Sequence, residues 1–278
     1  LLRSLRPVTV ASPTLVPHVL PPTRTVDLVV LDAVQHLPAE LLVPALARGR
    51  QVVVIGDARS ASGAAVRDLA RILPTVPLRA QVSSRDQELV EFLTTHGYGD
   101  VLRPTPLPVS RDLVDFQTVD ASGMPDAVTG TVQTTQGEVD RVVELAIEHA
   151  LVRPEESLAI ITLSELHADR VREALLGEVR RNPALSSFFD PAAHEPVVIA
   201  DLSAVAGLSR DAVVMSVGFG RTPHGRVLHR FGAVSEPSGE AMLLDALGVS
   251  RARLTVVSCF GYEDLDPERL RSPGASPR

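Results

Sequence analysis

The sequence predicts an α/β fold in which parallel strands form a sheet with helices on both faces. Short runs rich in β-branched residues alternate with segments of helical period, and this alternation is typical of βαβ units. The runs are almost continuously apolar, as expected of strands that are covered on both faces. The composition, 45% hydrophobic and 22% charged, is that of an ordinary globular protein. The predicted strands are residues 26–31, 51–55, 157–162, 196–200, 212–217 and 253–258.

Two helices are predicted between these strands. Apolar residues recur at helical spacing over residues 139–150, and Thr135 followed by Glu138 three positions later has the pattern of a capping box. A second apolar helical pattern follows Ser84, and Gly97 is a suitable residue to end that helix.

The length of 278 residues predicts about two domains. Residues 103–125 are rich in Pro, Asp and Ser and lack a clear period, so we expect the join between two lobes there. The predicted divisions are the carboxyl-terminal part of a first lobe over 1–110, a complete second lobe over 111–266 and a tail over 267–278. Because Leu1 is not methionine, we also expect further domains of the same polypeptide upstream.

The bulk properties restrict location and partners. The apolar runs are far shorter than the roughly 20 residues that a membrane-spanning helix needs, and no signal segment opens the chain, so we expect a cytoplasmic protein without a membrane partner. A net charge of −7 lacks the basic surplus of a protein that holds nucleic acid mainly through phosphates.

The single cysteine, Cys259, cannot form an internal disulfide, and its apolar surroundings predict a buried, inert thiol.

Two apolar strands end in carboxylates. Asp32 follows the first predicted strand and Asp57 follows the second, and ligands of open parallel sheets bind at the carboxyl ends of strands. Strand-end aspartates also commonly cap the next helix, so each residue alone is a weak indication of a site. The two in succession favour a site at this edge.

These two segments resemble the superfamily 1 helicases of the Upf1/Dna2-like branch, in particular large bacterial proteins of that branch. In the family, one strand ends in Asp-Glu and the next ends in Gly-Asp-x-x-Gln; residues 32–35 and 56–60 are the matching segments here. The resemblance implies two RecA-like lobes of the P-loop NTPase fold, with ATP and Mg²⁺ as cofactors and single-stranded DNA or RNA as partner. Asp32 would then help to hold Mg²⁺.

The resemblance continues along the chain. Arg85 matches an arginine that contacts the terminal phosphate in the family, and Gly207 lies in a segment similar to the family's Gln-Gly-x-Glu-x-Asp. Residues 250–253 are similar to the family's Thr-Arg-Ala-Arg, whose first arginine, matched by Arg251, acts as an arginine finger. The implied catalytic residues are Asp32 and Arg251. The implied nucleotide-binding residues are Asp32, Gly56, Asp57, Arg85, Gly207, Arg251 and Arg253.

Several family positions have lost their functional residue. The glutamate that would position water is Ala33, and the glutamine after Gly-Asp is Ser60. In the later segment, Ala206 and Ser209 replace the glutamine and the glutamate. The phosphate-binding loop of this class requires a lysine, and the chain contains no lysine. We therefore expect that this chain alone does not hydrolyse ATP.

Three hypotheses follow. The first is a degenerate helicase-like region of a bacterial nucleic-acid-processing protein. The second is part of an active ATP-dependent helicase whose phosphate-binding loop lies upstream. The third is a nucleotide-free interaction scaffold in which Asp32, Asp57, Arg85 and Arg251 form structural ion pairs.

Residues 218–232 also resemble the bacterial subgroup, and we interpret them as a surface loop rather than a nucleic-acid contact.

Overall fold

The computed structural model describes residues 7–82, 87–99, 101–104, 113–266 and 269. The chain forms two compact units, Leu1–Val76 and Pro77–Arg278. This division falls earlier in the sequence than the lobe boundary predicted near residue 111, a position that itself lies outside the described residues. Apart from residue 269, the predicted tail over 267–278 also lies outside them.

The first unit is built on two parallel strands whose inner side packs against short helices. Its elements are α1 (Val16–Val19), β1 (Val26–Leu31), α2 (Ala39–Leu46), β2 (Gly49–Val54) and α3 (Ala64–Ala70). Leu31 of β1 lies opposite Val54 of β2 in the ladder, so both strands end at the same edge. Leu31, Leu42 and Val66 are central to the small apolar core beneath them.

The second unit is built on a five-stranded parallel sheet and a separate pair of shorter strands. Its elements are β3 (Ala80–Val82), α4 (Gln87–Leu93), β4 (Leu102–Pro104), β5 (Val114–Thr118), α5 (Gln136–Val152), β6 (Leu158–Thr162), α6 (Glu165–Arg181), β7 (Val198–Asp201), β8 (Arg210–Ser216), α7 (Gly239–Gly248) and β9 (Ser250–Ser258). The strand order of the larger sheet is β5-β9-β8-β6-β7. The shorter strands β3 and β4 pair with each other in parallel.

Helices cover both faces of the larger sheet. Alternate strand residues point to opposite faces: Leu158 and Ile160 of β6 belong to a core cluster with α5 and α6, whereas Ala159 and Ile161 belong to a second cluster with α4 and α7. All residues of β6 are buried. The predicted α/β class with parallel sheets and helices on both faces is therefore confirmed.

All six strands predicted from the sequence are present, with ends shifted by a few residues. The interval 103–125, interpreted as a join, also contains β5, an edge strand that the prediction missed. Its short run, Val-Asp-Phe-Gln-Thr, has mostly exposed side chains, so it lacks the apolar continuity that identified the central strands. Its backbone is nevertheless held by parallel pairing with β9.

The two predicted helices are confirmed, but the predicted capping box at α5 is wrong. Thr135 is the N-cap residue of α5, yet its side chain caps no backbone N–H. Its hydroxyl is instead 3.1 Å from Sγ of Cys259, and the carboxylate of Glu138 points into the interior. For α4, Gly97 beyond its carboxyl end has a φ of 120°, while Ser84 lies outside the described residues.

Candidate functional site

A β-bulge determines where Arg251 lies. Arg210 pairs with Ser250 and Ala212 pairs with Arg253, so β9 has one more residue than β8 across this interval. A bulge bends its strand and redirects the side chains on it. Arg251 is in the extra segment, at the amino-terminal end of the central strands.

The guanidinium of Arg251 is bound by three groups from three different parts of the second unit. Its Nε donates to Oδ1 of Asp211 over 3.0 Å. Its two terminal nitrogens donate to the two carboxylate oxygens of Glu195 over 2.9 and 2.5 Å, and one of them also donates to Oγ of Ser157 over 2.9 Å. Nε and both terminal nitrogens are thus engaged within the chain.

These contacts change the acidity of the carboxylates. The hydrogen bond from Arg251, followed by one from Ser157, lowers the pKa of Glu195 to about 2. Burial would raise the pKa of Asp211, but hydrogen bonds from Arg251 and Ser157 outweigh it and lower that pKa. In turn, hydrogen bonds to Glu195 and Asp211 raise the pKa of Arg251. Both carboxylates are therefore ionised at neutral pH.

Two neighbouring arginines are also engaged. Arg253 forms a 3.1 Å ion pair with Glu156. Arg210 donates from Nε and a terminal nitrogen to the carbonyl oxygen of Pro196, and from its other terminal nitrogen to that of Ser209.

Gly207 occupies a tight turn shortly before β8. Its φ is +74°, a conformation that glycine adopts without steric cost. Leu208 donates its backbone N–H to the carbonyl of Val205 over 2.9 Å and closes the turn. The turn alone therefore accounts for a glycine at position 207, without any contact to a ligand.

In the first unit, Asp32 and Asp57 lie at the same sheet edge, as predicted. Asp32 is exposed, and its Oδ1 accepts the backbone N–H of Ala33 over 2.9 Å. Oδ1 of Asp57 accepts the backbone N–H of Arg59 over 2.8 Å. Gly56 is sterically required, because a Cβ there would lie 2.7 Å from a methyl group of Val66.

The donor set around Asp32 does not fit a magnesium–nucleotide complex by itself. The next residue, Ala33, supplies no oxygen ligand from its side chain and has a φ of +52°. Within the described part of the chain, no group of three or more His, Cys, Asp or Glu side chains is arranged to hold a metal ion. A metal site at Asp32 would need ligands from elsewhere.

The predicted site residues are divided between the two units. Asp32, Gly56 and Asp57 belong to the first unit, and Gly207, Arg251 and Arg253 belong to the second. Arg85 lies outside the described residues. Sequence reasoning missed Glu195 and Ser157, the partners of Arg251, because neither belongs to a recognisable motif.

A shallow cleft of about 290 Å³ lies beside the Arg251 cluster. Its lining includes Ser157 and Glu195 from that cluster, together with Phe188 and His194. The cleft therefore gives solvent-borne groups access to the side of the cluster that carries Glu195.

A second polar cluster is fully buried at the carboxyl end of the sheet. Oε1 of Glu138 accepts from Oγ of Ser216 and from the backbone N–H of Gly218, each over 2.7 Å, and Oε2 accepts from Sγ of Cys259 over 3.2 Å. Nε2 of His167 is 2.7 Å from Oγ of Ser216. Sequence reasoning missed this cluster because its members are far apart in the chain.

Burial determines the protonation of this second cluster. It raises the pKa of Glu138, and it raises the pKa of the Cys259 thiol to about 12. It also lowers the pKa of His167 to about 4, with a further contribution from Arg170. His167 is therefore neutral, and the prediction that the thiol of Cys259 is buried is confirmed.

Comparisons with known proteins show similarity to solved structures. No protein-family model matches the chain, and no curated protein matches its sequence. Among solved structures, it is similar to the C-terminal domain of a possible DNA helicase from Lactobacillus plantarum WCFS1, at 15% identity and a TM-score of 0.35, over 64% of this chain and 88% of that one. No helix in the described residues is long and apolar enough to span a bilayer.

Proposed function

We propose that this chain is a degenerate superfamily 1 helicase-like region of a bacterial nucleic-acid-processing protein and that it does not hydrolyse ATP. The observation that carries the proposal is the engagement of Arg251 by Glu195 and Asp211. An arginine that stabilises a phosphoryl-transfer transition state must direct its donors at the transferred group. In this chain those donors are directed at two carboxylates.

The residues at the other family positions support the same proposal. Ala33 stands where the family has its water-positioning glutamate, and loss of such a group typically costs a factor of about 10² to 10⁴ in rate. Without any lysine, the chain also lacks the cation that neutralises the β- and γ-phosphates. ATP and Mg²⁺ are therefore cofactors only by resemblance.

The test is ATP turnover by the intact natural protein that contains this sequence, with and without single-stranded DNA or RNA. We expect turnover at background level under all conditions. Robust hydrolysis that nucleic acid stimulates and that Arg251→Ala abolishes would refute the proposal. That outcome would favour the hypothesis of an active helicase.

A nucleotide-free scaffold is the second candidate, and the position of Arg251 favours it. Arg251 of β9 joins Asp211 of β8 and Ser157, the residue before β6, so it ties together the ends of three adjacent strands. A scaffold should release no heat when titrated with ATP in a calorimeter. Saturable ATP binding that Arg251→Ala weakens would contradict this candidate.

A further inference from the structure

The partners of Arg251 come from different kinds of segment. Asp211 is a strand residue, and its Oδ2 accepts both the backbone N–H and the hydroxyl of Ser157, each over 3.0 Å. Glu195 instead lies in an irregular segment, residues 190–197, that precedes β7 and is partly buried from residue 195 onward. Arg251, Asp211 and Ser157 are therefore joined at strand ends, and Glu195 is a partner supplied by an irregular segment.

The geometry of the Glu195 contact is that of an oxyanion held by a guanidinium fork. Two carboxylate oxygens face the two terminal nitrogens of Arg251. Arginine forms this bidentate arrangement equally well with a carboxylate or a phosphate group. A phosphate group that replaced Glu195 would meet the same two nitrogens, with the hydroxyl of Ser157 beside them.

Glu195 is one of several charged groups in this region. Three arginines and three carboxylates meet at the amino-terminal edge of the sheet, namely Arg210, Arg251, Arg253, Glu156, Glu195 and Asp211, and a fourth carboxylate, Glu155, lines the adjacent cleft. Withdrawal of Glu195 leaves equal numbers of the two charges and frees the donors that the two terminal nitrogens of Arg251 direct at it, which are the donors that an oxyanion would take. The neighbouring cleft, which Glu195 and Ser157 both line, reaches the cluster from the side of Glu195.

We propose that Glu195 is an internal competitor that occupies an oxyanion-binding position on Arg251 and thereby excludes phosphate groups from it. The inference deepens the proposed function and rests on it, since it explains how the chain keeps Arg251 from a nucleotide. A tethered carboxylate acts at a high effective concentration, on the order of millimolar, so a free phosphate must exceed that concentration to displace it.

The test is calorimetric titration of the 278-residue chain with inorganic phosphate. Glu195→Gln removes the competing charge with little change of shape, and we expect phosphate to bind at least roughly tenfold more tightly than to the unchanged chain. The matched control is Glu156→Gln, which removes a carboxylate from Arg253 at the same edge and should leave the affinity unchanged. Adding Arg251→Gln to Glu195→Gln should abolish the gain.

A Glu195→Gln variant that melts as a folded protein but binds phosphate no better than the unchanged chain would overturn the inference. An equal gain in Glu156→Gln would do the same, because it would reflect net charge alone. If Glu195→Gln does not fold, Glu195→Asp shortens the reach by one methylene, and it must still bind phosphate more tightly. ATP turnover by the intact protein would contradict the proposed function and leave these titrations interpretable.

Discussion

The hydroxyl of Ser216, the last residue of β8, donates a 2.7 Å hydrogen bond to Oε1 of Glu138 in the first turn of α5. Gly218 donates its backbone N–H to the same oxygen, and Cys259, just after β9, donates to the other. One buried carboxylate therefore joins a helix to the ends of two strands. Its removal would leave three donors without an acceptor in the interior.

We expect Glu138→Ala to lower the free energy of unfolding by about 3–5 kcal/mol, because unsatisfied buried donors are expensive. Glu138→Gln keeps an acceptor for Ser216 and Gly218 and should lose clearly less. Urea denaturation of both variants measures the difference. Equal losses in the two variants would contradict this expectation, because Gln keeps the shape of Glu and one acceptor, and would assign the effect to the carboxylate charge or its second oxygen.

The raised pKa of Glu138 predicts a dependence of stability on pH. A carboxyl group whose pKa is higher in the folded state than in the unfolded state binds its proton more tightly when folded. This tighter proton binding adds to the stability of the unchanged chain at low pH, and the added stability should be lost as the pH rises above about 4.5, the unfolded value. Glu138→Gln should show no such loss. Denaturation of both proteins from pH 4 upward checks this, and a difference that does not vary with pH contradicts it.

The lowered pKa of Glu195 predicts the opposite dependence. A carboxylate whose pKa falls on folding contributes stability that is present above its unfolded pKa and disappears as the pH falls through the folded value. The stability difference between the unchanged chain and Glu195→Gln should be complete above about pH 4.5 and vanish towards about pH 2. Thermal melts across this window measure it. A constant difference would mean that Arg251 does not control the ionisation of Glu195.

Gly218 and Gly225 form a matched pair, since both have positive φ angles, +71° and +74°. A Cβ on Gly218 would lie 2.7 Å from the buried ring of His167, whereas a Cβ on Gly225 would meet no atom within 4 Å. We expect Gly225→Ala to cost about 1 kcal/mol from backbone strain alone, and Gly218→Ala to cost about 3 kcal/mol. Chemical denaturation compares them. Similar losses would refute the predicted contact with His167.

Arg251→Ala should destabilise the chain more than Arg253→Ala. Loss of Arg251 leaves Glu195 and Asp211 facing each other's charge, whereas loss of Arg253 leaves only Glu156. Since these side chains are partly exposed, we expect a loss of about 2 kcal/mol for the first and at most about 1 kcal/mol for the second. Denaturation at low and high salt provides the measurement, and the losses should shrink as salt rises.

The strands and the larger helices could be predicted because their information is local. β6 has an unbroken apolar run and α5 has an apolar stripe, and both patterns follow from burial against neighbours of any sequence. β5 could not be predicted in the same way. Its side chains are largely exposed, and its pairing with β9 joins residues that are far apart in the chain.

The candidate site was predictable only in part. The family resemblance marks Arg251 as a candidate site residue. Nothing local indicates that Glu195 is its partner, because the two residues lie 56 positions apart. Thr135 and Glu138 present the opposite case. Their spacing satisfies the capping-box pattern, yet buried partners on β8 and beside β9 compete for the same oxygen atoms and bind them instead.

The sequence by itself determined the α/β class, the six principal strands and the absence of lysine, because these depend on residue type and periodicity along the chain. Only the tertiary structure decided which charges meet. The bulge in β9 places Arg251 beside Asp211, and the segment before β7 places Glu195 beside the same guanidinium. At the other end of the sheet, three donors surround the carboxylate of Glu138. Such pairings depend on distances through space, which the strand order and the crossover connections set.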